Sequence, residues 1–216
     1  MKLIVVTGPD ASGKDLQIKA LQDHLQKRGF SVKTATVWDS LAVFSSLPQA
    51  QGKEFVDGIL SRLSPEARSL FLASALMDSW KSAAAQAVET DYLLFNGYIY
   101  KYWASEKAHG VNADIWANLE ELFQRPDMIL YLDVPWEVCS ARRERWTPYE
   151  RGENLGTFQV RVHENLRTLA MSHNAVFVDG CASAEGVTEH LLQALFPAAP
   201  TSFSSASKSA GDEVSP

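Results

Sequence analysis

Cysteine is nearly absent from the chain. Two residues in 216, Cys139 and Cys181, cannot staple a small secreted scaffold. The five histidines are scattered without ligand spacing, which argues against a zinc module. No apolar run approaches the roughly 20 residues that cross a bilayer. Met1-Lys2-Leu3-Ile4-Val5-Val6 gives way at once to Thr7-Gly8-Pro9, too short for the apolar stretch of a signal peptide. Basic charge is in deficit, with 20 Lys and Arg against 26 Asp and Glu and a net charge of −6. The surface as a whole therefore holds no attraction for nucleic acid or anionic lipid, and only a local basic cluster could act on an anion. These absences leave a cytoplasmic enzyme or binding domain with neither a membrane nor a nucleic-acid partner.

What is present is an ordinary globular composition, 46% apolar and 21% charged, with enough core for one domain. No internal repeat is found. Composition breaks after Leu195-Phe196, where Pro-Ala-Ala-Pro leads into Thr201–Pro216 with six serines and one aromatic. Such a stretch cannot bury enough apolar surface to offset its ordering entropy, so a domain over 1–196 is expected, followed by a disordered Ser/Pro/Ala-rich tail over 197–216.

Within 1–196, short apolar runs alternate with helical patterns. The runs are Leu3–Val6, Val32–Val37, Tyr92–Phe95, Met128–Leu132 and Ala175–Val178. Leu16, Ile18, Leu21 and Leu25 recur at near-helical spacing up to Gly29. Ser64-Pro65-Glu66 carries an N-cap, a proline at N1 and a first-turn acid, and opens a long helix to about Glu89. Further helical patterns fall near 113–124, 136–145, 158–172 and 185–196. Five runs separated by helices predict an α/β fold, a five-stranded parallel sheet with helices on both faces. Ligands of such sheets bind beyond the carboxyl ends of the strands, which directs attention to the residues after Val6, Val37, Phe95 and Leu132.

After the first run comes Gly8-Pro9-Asp10-Ala11-Ser12-Gly13-Lys14-Asp15-Leu16, with the Gly-x4-Gly-Lys spacing of a P-loop. Glycines let successive backbone N–H groups wrap a phosphate, and the helix that follows aims its N-terminus at the same anion. Lys14 supplies a compact positive charge. A Ser or Thr after the lysine would hold Mg²⁺; Asp15 stands there instead. Its carboxylate could ligate the metal, and would make nucleotide binding strongly magnesium-dependent, or it could merely be a first-turn acid on the helix dipole.

These residues resemble the thymidylate kinase family of P-loop nucleoside monophosphate kinases, from about Lys2 to Phe196. The loop through Leu16-Gln17 is similar to that family's. So are Pro126–Pro135 as the fourth strand, Glu150–Glu153 with Phe158–Val162 as the lid and the helix behind it, and Val178-Asp179-Gly180 as the adenine-side loop. The resemblance implies the three-layer P-loop kinase fold, a lid at about 142–157, ATP and Mg²⁺, and a homodimer built on long helices. It places Gly8 to Leu16, Arg142 and Asp179 on ATP, with Asp15 on the metal. Asp10 would reach the acceptor sugar's 3′-hydroxyl. Lys14, Arg142, Arg145 and Arg151 would act on the phosphates. In an acidic chain Arg142-Arg143-Glu144-Arg145 with Arg151 is the densest basic cluster, though Glu144 and Glu150 could equally make it a solvated face.

The acceptor half departs from the family's pattern. Asn96-Gly97-Tyr98 stands where Asp-Arg-Tyr is usual, and Met77 and Ala73 replace an arginine and an aromatic that would meet the base. Val37-Trp38-Asp39-Ser40 lacks a phosphate-holding arginine, and Ala11 takes a slot that is arginine in some members. Each lost charge-assisted contact costs about 1.5–3 kcal/mol. Trp38, Asn96 and Tyr98, at strand ends, are the candidates for the acceptor side, whereas Tyr100, Tyr102 and Trp103 are expected in the core; Lys101 and Lys107 could supply charge. Three readings follow: a kinase of thymidine monophosphate or a modified relative, a kinase of another acceptor, and a degenerate nucleotide-binding protein.

Overall fold

The computed structural model describes residues 1–41 and 49–197, with side chains described from residue 55 onward in the second segment. The expected tail, apart from Pro197, lies outside the described residues. The strands are β1 (Lys2–Thr7), β2 (Val32–Thr36), β3 (Tyr92–Asn96), β4 (Met128–Asp133) and β5 (Val176–Asp179), all parallel in the order β2-β3-β1-β4-β5. β1 is central, and its apolar run is explained by burial on both faces. Leu3 and Val5 point into one core with Leu93, Phe95, Ile129 and Tyr131, while Ile4 and Val6 point into the other with Leu94, Leu130 and Leu132.

Helices α1 (Lys14–Lys27), α7 (Trp136–Ala141) and α10 (Ala184–Leu195) serve the Ile4/Val6 face. On the other side lie α2 (Val37–Leu41), α3 (Gln49–Leu60), α4 (Pro65–Gln86), α5 (Tyr98–Ala108), α6 (Ala113–Glu120), α8 (Pro148–Arg151) and α9 (Leu155–Ser172). Ser64 caps α4 as its sequence predicts, its hydroxyl accepting from Ala67 N at 3.4 Å. The helix expected over 136–145 stops at Ala141, because Arg143, Arg145 and Trp146 turn back on one another: Arg143 Nε donates to Arg145 O at 2.8 Å and Trp146 Nε1 to Arg143 O at 3.1 Å. Val37, expected in a strand, instead begins α2.

A buried polar cluster ties α4, α5 and α8 together. Arg68 Nε donates to both Glu106 oxygens at 2.8 and 3.1 Å, Tyr149 Oη to Glu106 Oε1 at 3.0 Å, and Ser69 Oγ to Glu106 Oε2 at 3.1 Å. Glu106 is fully buried. A buried carboxylate is tolerable only with this many donors.

Candidate active site

The loop between β1 and α1 closes through Ser12 N donating to Pro9 O at 3.2 Å. Gly8 has to be glycine, since a Cβ there would stand 2.9 Å from both Leu132 O and Ser12 Oγ. Ala11 is held at φ 64, a left-handed conformation unusual for alanine and a form of strain that clusters at ligand sites. Lys14 folds over the loop, its Nζ donating to Gly8 O at 2.9 Å and Pro9 O at 2.6 Å. Burial and the neighbouring Lys101 push its ammonium down to about 8, against the pull of Asp10 and Asp15.

A cleft of about 660 Å³ opens over this loop at the carboxyl ends of β1, β2 and β3. Asp10, Ala11, Gly13, Lys14, Asp15, Leu16, Trp38, Asn96 and Arg142 line it, nine of the residues expected at the site. Asp15 faces inward, where Asn96 Nδ2 donates to its Oδ1 at 2.5 Å. Arg142 Nη2 donates to Gly180 O at 3.1 Å, with Nη1 3.5 Å from Ser12 O, and so joins the phosphate loop to the turn after β5. Asp179 shapes that turn, its Oδ1 accepting from Cys181 N at 2.9 Å. Gln17, matched to the family's helix, binds structure: its Nε2 donates to Ala184 O and its Oε1 accepts from Thr188, clamping α1 to α10.

Tyr98 is a correction. Its ring is fully buried among Trp80, Phe95, Tyr100 and Phe123, and its hydroxyl donates to Gln124 O at 2.9 Å. Gly97 at φ 77 and Tyr98 at φ 48 turn the chain so sharply that the side chain leaves the strand end for the core. Arg145 and Arg151 are exposed on the segment between α7 and α9 and do not line the cleft. Arg143, not singled out within its cluster, does line it, as do Thr36, Lys101 and Tyr102.

A smaller chamber, about 40 Å³, adjoins the cleft between Trp38, Leu41, Leu60, Leu72, Tyr102 and Tyr149. Neither Met77 nor Ala73 lines it. Asp10 and Lys101 border both spaces, and Lys101 Nζ donates to Asp10 Oδ1 at 2.6 Å. Burial opposes ionisation of Asp10, yet Lys101 and Lys14 hold its carboxyl below the usual carboxylate range. Burial likewise opposes the Lys101 ammonium, and Asp10 overrides it upward.

A glycine-lysine loop after the central strand of this parallel sheet, with an arginine-bearing segment beside an aromatic chamber, is the arrangement of a kinase of the nucleoside monophosphate class. The model of the family described as thymidylate kinase matches residues 6–191, and the chain belongs to the thymidylate kinase family. It is 26% identical over 197 residues to a probable thymidylate kinase of Thermococcus onnurineus, covering 88% of this chain and 94% of that protein. Against a probable thymidylate kinase of Pyrococcus abyssi the identity is 26% over 200 residues, 88% and 93% of the two chains. A thymidylate kinase of Bradyrhizobium sp. gives 26% over 215 residues, 90% and 89%.

Proposed function

We propose that this nucleoside monophosphate kinase uses ATP and Mg²⁺ to phosphorylate thymidine monophosphate or a base-modified relative. The observation that carries the reading is the joining of two spaces at one pair of residues, with the Lys14 loop on one side of Asp10 and Lys101 and the aromatic chamber on the other. In the transfer, an oxygen of the acceptor's phosphate bonds to the γ-phosphorus while the bond from that phosphorus to the bridging oxygen breaks, and the electron pair leaves with ADP.

The residues fit a triphosphate. Ser12 Oγ is buried with no hydrogen-bond partner among the described residues, and Gly13 has nothing within 4 Å of where a Cβ would stand, so a polar anion has both a donor and room. Gly8, Pro9, Asp10, Ala11, Ser12 and Gly13 supply the cradle, and Lys14 exchanges its carbonyl partners for phosphate oxygens. Asp15 and Asn96, hydrogen-bonded to each other, are the side chains that would hold magnesium, which when bound would neutralise charge on the phosphates. Arg142 reaches the nucleotide from the adenine side. Arg145 and Arg151 belong to a lid over 142–157 and bring charge on closure. Trp38 offers a stacking face to the acceptor's base. The reading includes a cytoplasmic homodimer paired through long helices such as α4, where Leu70 is 57% exposed.

Incubation with ATP, Mg²⁺ and a panel of nucleosides and monophosphates tests this, with Lys14→Ala as control. Turnover dependent on thymidine monophosphate, lost at least about a hundredfold in Lys14→Ala without loss of fold, is expected. A wild-type protein inert towards every monophosphate overturns the reading.

A further inference from the structure

Four cations line the cleft, and three of them are held by other parts of the protein. Lys14 is bonded to the carbonyls of Gly8 and Pro9, Arg142 to that of Gly180, and Arg143 to Glu150 on the lid. Lys101 differs, because its partner Asp10 is itself a cleft-lining group. The pair is only partly shielded, with side chains 20% and 12% exposed, at the passage between cleft and chamber.

The backbone explains how Lys101 gets there. It lies in the first turn of α5, four residues beyond Gly97, its N–H directed at Gly97 O at 3.4 Å. Its side chain runs back across Gly97, where a Cβ would meet Lys101 Cδ at 3.4 Å and Cβ at 3.5 Å. The bare glycine at φ 77 thus leaves a track that a side chain at 97 would crowd. The charge missing from position 97 returns from one turn further along the helix.

Resting on the kinase reading above, we propose that Lys101 is the residue that binds the acceptor's phosphate, the charge absent at position 97 being supplied from α5. An ionised Asp10 can only accept hydrogen bonds, so it takes a hydroxyl of the incoming sugar. Its two oxygens can serve Lys101 and that hydroxyl together, which leaves the ammonium's remaining N–H donors for an anion. A nucleoside monophosphate supplies both the hydroxyl and the anion. An unphosphorylated nucleoside supplies only the hydroxyl and leaves those donors without a partner from the ligand.

Calorimetry of thymidine monophosphate and of thymidine, each with the magnesium–ADP complex present, gives the first test. The wild type should bind the monophosphate at least about thirtyfold more tightly, and equal affinities overturn the proposal. Lys101→Met keeps the side chain's bulk and removes its charge. It should raise KM for thymidine monophosphate about ten- to a hundredfold, with kcat changed far less and KM for ATP held, while Lys101→Arg recovers most of the loss. A KM within twofold of wild type in Lys101→Met overturns it. Should Lys101→Met fail to fold, Lys101→Gln, which also removes the charge, is read the same way. A wild type that binds the monophosphate in a Lys101-dependent way, yet transfers no phosphate, supports the assignment of Lys101 and refutes the kinase reading.

Discussion

Arg143 and Glu150 meet fork to fork in the segment between α7 and α9, Nη1 donating to Oε1 at 3.0 Å and Nη2 to Oε2 at 2.7 Å. The same carboxylate accepts from Thr147 N at 2.9 Å and closes a capping box on α8. Part of the basic cluster is therefore spent on holding the lid's own shape, and Gln159 Nε2, donating to Glu150 O at 2.6 Å, fastens that shape to α9.

Glu150→Gln removes the charge from this fork. One charge-assisted pair is worth about 1.5–3 kcal/mol, so transient opening of the segment should rise about tenfold or more. Tryptic cleavage after Arg143, Arg145 and Arg151 in nucleotide-free protein, followed by mass spectrometry, reads that opening. Cleavage no faster than in the wild type would show that the fork does not hold the lid.

Asp15 beside Asn96 predicts a strong metal requirement. With chelator in place of magnesium, ATP affinity should fall by about an order of magnitude or more, because a carboxylate then faces the phosphates without the metal between them. Asp15→Ser should shrink that difference. Titration calorimetry with and without magnesium measures both, and equal wild-type affinities would mean that the carboxylate turns aside.

His109 predicts a pH dependence of stability. Burial, aided by repulsion from Arg68, pushes its imidazole down to about 4, against the pull of its hydrogen bond to Tyr149 O. The unfolded chain, near 6.5, binds the proton first. The contribution is therefore complete above pH 6.5 and drains away as pH falls towards 4. His163, also down to about 4 through burial, acts in the same direction. His109→Phe, which keeps an aromatic against Phe158 and Tyr149, should flatten the fall in urea midpoint across that window. An unchanged slope would remove His109 from the account.

The elements that the sequence announces are those with an uninterrupted apolar run of strand length or a local signal. β1, β3 and β4 are apolar runs of strand length, α4 carries its cap at Ser64 and its proline at 65, and the glycine-lysine spacing marks the phosphate loop. Helix α5 was unreadable for the opposite reason. Tyr98, Ile99, Tyr100, Tyr102, Trp103 and Glu106 are all buried, so no polar stripe marks a helical period, and β-prone aromatics fill its first two turns. Without that helix the sequence names Lys101 only as a spare charge and Tyr102 only as a core residue, because their approach to the cleft depends on its first turn. It also left Tyr98 at a strand end, when in fact that residue starts a helix facing the core. The α3 side of the chamber was equally hidden, since Leu60 reaches Trp38 only through tertiary packing.

Arg68, Glu106 and Tyr149 come from three different helices, and their shared burial has a consequence for descent. Removing one member of a buried charged set costs about 3–5 kcal/mol, a large part of the roughly 5–15 kcal/mol that holds a domain folded. Replacing the set together by apolar residues of similar volume costs far less. A substitution at any one of the three positions therefore calls for a new donor or a new acid in the same place, or for the exchange of all three together.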